Sequence, residues 1–193
     1  MTEKHPAADV TLSVRLAEDD RACVVFRAPR GEGPRTGAIP TMVGALLAST
    51  LARLGPGPHG QRLLRDAERT AGTFAHMGQP NILPQGVRIV EPDELDEAHE
   101  VCTVLMPSDG DAFVRSVFRT DDAEISYKAF LFALQHALDS LTPDTLVSLS
   151  SVLRGVVSNF KNAVTWPDID STEQALAAGR LGLQRRFRQD VGR

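Results

Sequence analysis

The two halves of this 193-residue chain carry the same order of sequence patterns. In each half, two short strands come before two helical segments, over residues 10–70 and again over residues 101–160. The second strand of each half ends in Val-Phe-Arg, at residues 25–27 and 117–119, and the first helix ends in a leucine followed two residues later by proline. An internal repeat restricts the architecture more than any single motif, so we predict two similar ββαα units.

These elements assemble most simply into an α+β fold. We expect an antiparallel sheet of four or five strands from two β-hairpins, with the helices packed on one face and two pseudo-equivalent halves sharing a core. Helical spacing of apolar residues and Pro or Gly stop signals predict helices at 40–54, 60–76, 125–141 and 143–160. The predicted divisions, all within one compact domain, are a tail (1–9), a first unit (10–77), a linker (78–86), a second unit (87–160), and a loop with a basic C-terminal helix (161–193).

Composition excludes several classes of protein. The net charge of −4 argues against a general nucleic-acid or anionic-membrane partner. No apolar run approaches the roughly 20 residues of a membrane span, and the polar N-terminus does not resemble a signal peptide, so we predict a soluble cytoplasmic protein. Both cysteines, Cys23 and Cys102, fall in predicted strands, where a buried thiol acts as a small apolar side chain.

A loop between the first hairpin and the first helix is the candidate site for a small anion. Glycines let backbone N–H groups approach an anion, a helix N-terminus favours negative charge, and arginines can grip it; the candidate residues are Arg30, Gly31, Gly33, Arg35 and Gly37. The spacing matches neither the dinucleotide fingerprint nor a P-loop, and Pro34 and Pro40 remove N–H donors. The alternative is a plain strand-to-helix connection.

The last predicted helix is the candidate site for a protein partner. It is basic and amphipathic, and its candidate contact residues are Arg180, Leu183, Arg185, Arg186, Phe187 and Arg188. Such a helix docks on an acidic surface or in a groove, either of a partner or of the acidic stretch 91–124 of this chain. The alternative is a helix that covers the end of the core while its arginines reach solvent.

The sequence contains no recognisable catalytic or metal motif. There is no Gly-x-Ser-x-Gly, Cys-x-x-Cys or His-x-x-x-His, and His136 stands on an apolar helix without a paired nucleophile. The acidic run 91–100 is typical of a solvated face rather than of a metal site. We therefore predict no catalytic residue, no metal and no cofactor, and the sequence leans against an enzyme without excluding one.

The segment Ala112 to Leu141, a hairpin followed by an apolar helix, resembles in pattern the small α/β chaperones of type III secretion systems. Those proteins are non-enzymatic dimers that bind partner proteins, so the resemblance implies a protein-binding role. The order of elements departs from that pattern, since those chaperones usually begin with a helix. The resemblance therefore transfers no residues.

Two hypotheses about function follow. The first is a non-catalytic, adaptor- or chaperone-like protein-binding module. It forms a homo-oligomer, such as a dimer, through helix 125–141, or binds a partner through the basic C-terminal helix. The second is a sensor or enzyme that binds a small anionic ligand at the Arg30–Gly37 loop.

Overall fold

The computed structural model describes residues 10–17, 21–28, 37–73, 81–95, 98–107, 114–163 and 166. Over these residues the chain is an α+β protein with a five-stranded mixed sheet and four α-helices. The strands are β1 (Val10–Leu16), β2 (Arg21–Arg27), β3 (Arg88–Ile89), β4 (His99–Met106) and β5 (Arg115–Phe118). The helices are α1 (Ala38–Leu54), α2 (Pro58–Thr73), α3 (Ala123–Ser140) and α4 (Pro143–Asn162).

The strands lie in the order β3-β2-β1-β4-β5, and the two predicted hairpins, β1-β2 and β4-β5, meet along β1 and β4. The prediction of a purely antiparallel sheet is wrong at one edge, because β3 pairs in parallel with β2. A parallel neighbour needs a long crossover connection, which α1 and α2 provide between β2 and β3.

Successive side chains along each strand point to opposite faces of the sheet. The helices cover one of these faces, which we call the covered face, and the other is the open face. Side chains on the covered face are buried, among them Val10, Leu12, Val14, Ala22, Val24, Cys102, Val104 and Met106. Helix α1 packs mainly against β4 and β5, and α3 packs against β1, β2 and β4. Helices α2 and α4 form a further layer, with α4 packed on α1 and α2.

The apolar helix predicted at 125–141 is α3, and its apolar side chains are buried within the chain itself. Phe130, Phe132, Leu134 and Leu138 are each at most 3% exposed. The helix contacts the sheet on one side and α1 and α2 on others, which explains its nearly all-round hydrophobicity. These residues therefore form part of the core.

The helix ends follow local signals. Asp122 caps α3 by accepting hydrogen bonds from the backbone N–H groups of Glu124 (2.7 Å) and Ile125 (3.1 Å). Gly55 ends α1 at a φ of 64°, a conformation that costs glycine little. The acidic run 91–100 includes a short 3-10 turn at Pro92–Glu94 before β4 begins at His99.

Candidate functional site

The structure describes one of the sequence-predicted binding residues. Gly37 is exposed and occupies the position before α1, with a right-handed backbone and open space where a Cβ would be. Arg30, Gly31, Gly33 and Arg35 lie outside the described residues. The C-terminal candidates also lie outside them, namely Arg180, Leu183, Arg185, Arg186, Phe187 and Arg188. Both sites stay predictions, and the described residues present two others.

The first is the open face of the sheet, which carries Thr11, Ser13 and Arg15 of β1 and their neighbours on β2, β4 and β5. None of the four described helices packs on it. Residues opposite each other in a ladder point to the same side, so the strand registers fix its pattern. The central row is Val25, Ser13, Thr103 and Val117. The Ser13 and Thr103 hydroxyl oxygens lie 3.3 Å apart in the middle of that row.

Rows rich in arginine lie on both sides of this central row. One row consists of Arg27, Thr11, Leu105 and Arg115, and the other of Cys23, Arg15, Glu100 and Arg119. Since strands rise about 3.3 Å per residue, four residues along β2 separate the two rows by about 13 Å. Arg21 and Arg88 add two more positions at the corner where β2 meets β3.

The charge of this face is strongly positive. Glu100 is the one acidic residue of the five described strands, and its carboxylate accepts a 2.9 Å hydrogen bond from Nε of Arg119. That hydrogen bond, more than the opposing effect of burial, holds the pKa of Glu100 below its ordinary value. Arg21 donates a 2.9 Å hydrogen bond to the carbonyl oxygen of Glu94. Arg27 and Arg115 are exposed at opposite ends of their row.

The second site is a cleft of about 570 Å³ between α2, α3 and the segment 81–87. This segment is held against α3 because the side chain of Gln135, 6% exposed, accepts a 2.8 Å hydrogen bond from the backbone N–H of Ile82. Gln135 in turn donates to Asp139 over 2.9 Å. The cleft volume falls within the range of about 300–1,000 Å³ typical of small-molecule sites.

A polar cluster joins α2 and α3 in the cleft. The hydroxyl of Tyr127 donates a 2.7 Å hydrogen bond to Asp66, whose carboxylate lies 3.8 Å from Nε of Arg62 and 3.4 Å from Nη2 of Arg69. The guanidinium of Arg62 stands 5.2 Å from the centre of the Tyr127 ring, within cation–π range. Burial, followed by the interaction with Asp66, raises the pKa of Tyr127 to about 12. Tyr127 is therefore a hydrogen-bond donor and not a base at neutral pH.

The hydroxyls of Thr70 and Thr73 in the cleft already donate to the backbone of α2. Thr70 donates to the carbonyl oxygen of Asp66 (2.7 Å), and Thr73 donates to that of Arg69 (2.9 Å). Neither hydroxyl is paired with a general base that would activate it as a nucleophile. The arrangement suits binding and positioning better than covalent chemistry.

The remaining titratable groups of interest are buried or half-buried. Burial lowers the pKa of His136, against the opposing effect of Asp139 and Glu91. The prediction that both cysteines are buried in strands is confirmed, and burial raises the pKa of Cys102 to about 12. Among the described residues, no group of three or more His, Cys, Asp or Glu side chains could hold a metal ion. No described helix is long and apolar enough to cross a membrane.

Sequence reasoning missed both sites for different reasons. The sequence could have placed the arginines of the open face. Arg15 and Arg27 alternate with apolar residues that face the core, which predicts that both arginines lie on the opposite face of the sheet. Asp66 and Tyr127 had no such local signal, since they stand 61 residues apart on different helices.

Comparison of the chain with protein-family models, curated proteins and solved structures finds no match. The geometry of the described residues is therefore the basis for a function.

Proposed function

We propose that this protein is a non-catalytic protein-binding module and that the open face of its sheet binds an acidic amphipathic helix of a partner protein. The observation that carries the proposal is the weakly apolar row Val25-Ser13-Thr103-Val117 between two arginine-rich rows. A helix with an apolar stripe between two lines of Asp and Glu complements this pattern in shape and charge.

The dimensions favour a helix. The arginine-rich rows are about 13 Å apart, and an α-helix with its side chains is about 10–12 Å in diameter. A helix lying across the strands would cover Ser13 and Thr103 and contact Val117, whose side chain is 36% exposed. The carboxylates of its two sides would reach Arg27 and Arg115 on one flank and Arg15 and Arg119 on the other.

Charge and composition argue against two other partners. A second copy of the same face would set arginines against arginines, which is repulsive at close range. Single-stranded nucleic acid is held largely by bases stacked on aromatic side chains, and the described side chains on this face include none. A homo-oligomer formed through another surface stays a prediction, which light scattering of the whole chain and of a chain truncated after Asp170 would test.

We also infer that the open face is built by a duplicated unit. Phe26 lies opposite Leu12, and Phe118 lies opposite Cys102, so aligning the two Val-Phe-Arg triplets makes Leu12 equivalent to Cys102. Two residues further along, Val14 becomes equivalent to Val104. In the ladder between β1 and β4, Leu12 pairs with Val104, and Val14 pairs with Cys102. Such an exchange is what a two-fold axis through the ladder produces.

The midpoint of that exchange is the pair Ser13 and Thr103, which face each other directly. The duplication then makes Val25 equivalent to Val117 and Arg27 equivalent to Arg119. The helices also support the duplication. Aligning the ends of α1 and α3 at Leu54 and Leu141 makes Leu47 and Leu51 equivalent to Leu134 and Leu138, and these four residues are all buried.

The test uses a fluorescent synthetic helix of about five turns, with a leucine stripe flanked by glutamates, and measures its binding to the full chain by anisotropy. We expect saturable binding that weakens with salt. The double variant Arg27→Glu with Arg115→Glu should weaken binding at least about tenfold, which corresponds to about 1.4 kcal/mol. A peptide with glutamine in place of glutamate should bind weakly.

The matched control is Arg65→Glu, which reverses an exposed arginine on α2 far from the sheet. It changes the net charge by half as much as the double variant, so Arg65→Glu with Arg154→Glu provides an equal change. An equal loss of peptide binding in both double variants would show that net charge alone sets the affinity, and it would contradict the proposal. Tighter binding of a single-stranded oligonucleotide, lost in the Arg27 and Arg115 variant, would identify a nucleic-acid surface instead.

A further inference from the structure

The two arginine-rich rows of the open face are related by the two-fold axis that we infer at Ser13 and Thr103. Turning a bound helix by 180° about that axis reverses the direction of the helix and exchanges its two flanks between the rows. With equal rows, both directions would have the same free energy of binding. A difference in charge between the rows therefore selects one direction.

The row of Arg27 and Arg115, which we call the first row, carries two positive charges and no carboxylate. Thr11 of β1 and Leu105 of β4 lie between the two arginines. Both arginines are exposed, and neither forms an ion pair with another of the residues that the structure describes. Their guanidinium groups can therefore meet the acidic flank of a helix.

The other row, which we call the second row, holds Glu100 between its two arginines. Glu100 lies opposite Arg15 in the ladder between β1 and β4, and its carboxylate accepts the 2.9 Å hydrogen bond from Arg119. At the β2 end of this row stands Cys23, 1% exposed, at the position that the duplication makes equivalent to Arg115. Two guanidinium groups and one carboxylate leave the second row with one net positive charge, against two on the first row.

The corner of the sheet beyond Cys23 does not restore the balance. Arg21 and Arg88 pair there, and the acidic turn Pro92–Glu94 contacts the same strand, β2. Arg21 donates a 2.9 Å hydrogen bond to the carbonyl oxygen of Glu94, so the turn lies beside these arginines. The two carboxylates of the turn equal the two arginines of the corner in number.

We propose that Glu100 is a specificity-determining residue of the open face and that it selects one direction of the bound helix. This inference rests on the proposed binding of an acidic amphipathic helix. The partner helix carries more carboxylates on one side of its apolar stripe, and that side lies against Arg27 and Arg115, whose guanidinium groups can donate paired hydrogen bonds. The other side meets Glu100, which repels carboxylates and favours a side that carries fewer of them.

The test uses two synthetic helices of the same composition, each of about five turns with a leucine stripe. One has glutamates on one side of the stripe and glutamines on the other, and the second has these sides exchanged. Each peptide carries a nitroxide at its N-terminus, and NMR of the isotope-labelled full chain measures the broadening of the amide signals of Val25 and Val117. These valines lie at opposite ends of the central row, three strand spacings or about 14 Å apart.

We expect the first peptide to broaden the signal of one valine at least about fivefold more than that of the other. The peptide with exchanged sides should broaden the opposite valine. A fivefold preference for one direction corresponds to about 1 kcal/mol, which is within reach of one exposed charge.

Variants of the rows test the role of Glu100. Glu100→Gln gives both rows two positive charges, so each peptide should broaden Val25 and Val117 to within about twofold of each other. Glu100→Gln with Arg115→Gln keeps the net charge of the wild type but makes the second row the more positive one, so each peptide should reverse its direction. The matched control Asp144→Asn removes an exposed carboxylate of α4, away from the sheet, and should keep the wild-type pattern.

Failure of this inference and failure of the proposed function give different results. Equal broadening of both valines in the wild type, or an unchanged preference in Glu100→Gln, would overturn the selection of direction and leave the binding of acidic helices intact. Loss of the preference in Asp144→Asn as well would also overturn it, because net charge would then set the direction. Absence of saturable binding of both peptides to a chain that unfolds cooperatively would overturn the proposed function and this inference with it.

Discussion

The hydroxyl of Tyr127 donates a 2.7 Å hydrogen bond to Asp66, and this contact joins α3 to α2 across 61 residues of sequence. It fixes the polar cluster of the cleft, because the same carboxylate also holds Arg62 and Arg69.

Tyr127→Phe should destabilise the protein by about 1–2 kcal/mol, toward the lower part of the range for hydrogen bonds to charged groups because the pair is partly exposed. The phenylalanine ring keeps its position beneath Arg62, so the change isolates the hydroxyl. Urea unfolding measures the difference. A Tyr127→Phe variant as stable as the wild type would show that solvent replaces this hydrogen bond without loss.

The titration of Tyr127 should destabilise the fold in alkali. Its pKa is raised from the ordinary 10.0 to about 12, so the folded state keeps a proton that the unfolded state loses. This contribution is complete below pH 10 and is lost as the pH rises to about 12. Because the chain has one tyrosine, the absorbance of tyrosinate reports this group alone.

Asp66→Asn provides the control for that titration. It removes the negative charge beside Tyr127 but leaves the burial, so the pKa should fall while staying above 10.0. An unchanged midpoint would mean that burial alone sets the pKa.

Helices α1 and α4 approach closely at Gly44. A Cβ at this position would overlap Cγ1 of Val152, so Gly44→Ala should cost about 1–3 kcal/mol despite the better helix propensity of alanine. Gly155→Ala on α4 meets no neighbouring atom within 4 Å and should stabilise the protein by about 0.5–1 kcal/mol.

Adding Val152→Ala to Gly44→Ala should recover part of the loss, since it removes the overlapping methyl groups. The free energies of unfolding of the wild type, Gly44→Ala, Val152→Ala and the double variant, measured by heat or urea, form a double-mutant cycle. Strict additivity of the two changes would contradict the close packing of these helices.

The thiols of Cys23 and Cys102 should react slowly with a disulfide reagent in the folded protein. They are 1% and 0% exposed, and burial raises the pKa of each, to about 12 for Cys102. The thiolate is the reactive form, so both access and ionisation are suppressed. In urea both thiols should react at once; rapid reaction of either without urea would show that its strand opens readily.

Acid should weaken the link between β4 and β5. The pKa of Glu100 is lowered mainly by the hydrogen bond from Arg119, so its contribution to stability is present above the ordinary pKa of 4.5 and is lost as the pH falls through the lowered value. Arg119→Gln should cost less than about 1 kcal/mol at neutral pH, because the Arg119 side chain is largely exposed and solvent weakens the ion pair. In acid, the free energies of unfolding of the wild type and of Arg119→Gln should become equal.

Local patterns in the sequence determined most of the helices and strands. The alternation of apolar and polar residues over Val10–Leu16 is the pattern of a half-buried strand, and β1 has these bounds. Helical spacing with Pro and Gly stop signals placed all four helices within three residues of their observed ends. These features depend on neighbours a few residues apart, whose conformational preferences the chain carries with it wherever it folds.

The tertiary structure decided the rest, because packing brings together residues that carry no information about each other in sequence. It placed β3 parallel to β2 and buried the apolar side chains of α3 against both the sheet and other helices. It also joined Asp66 to Tyr127 and set Arg27 and Arg115 at the two ends of one row. The two candidate sites exist only once the strands are paired and the helices are packed. The hairpins and helices that build these sites are determined by the local sequence.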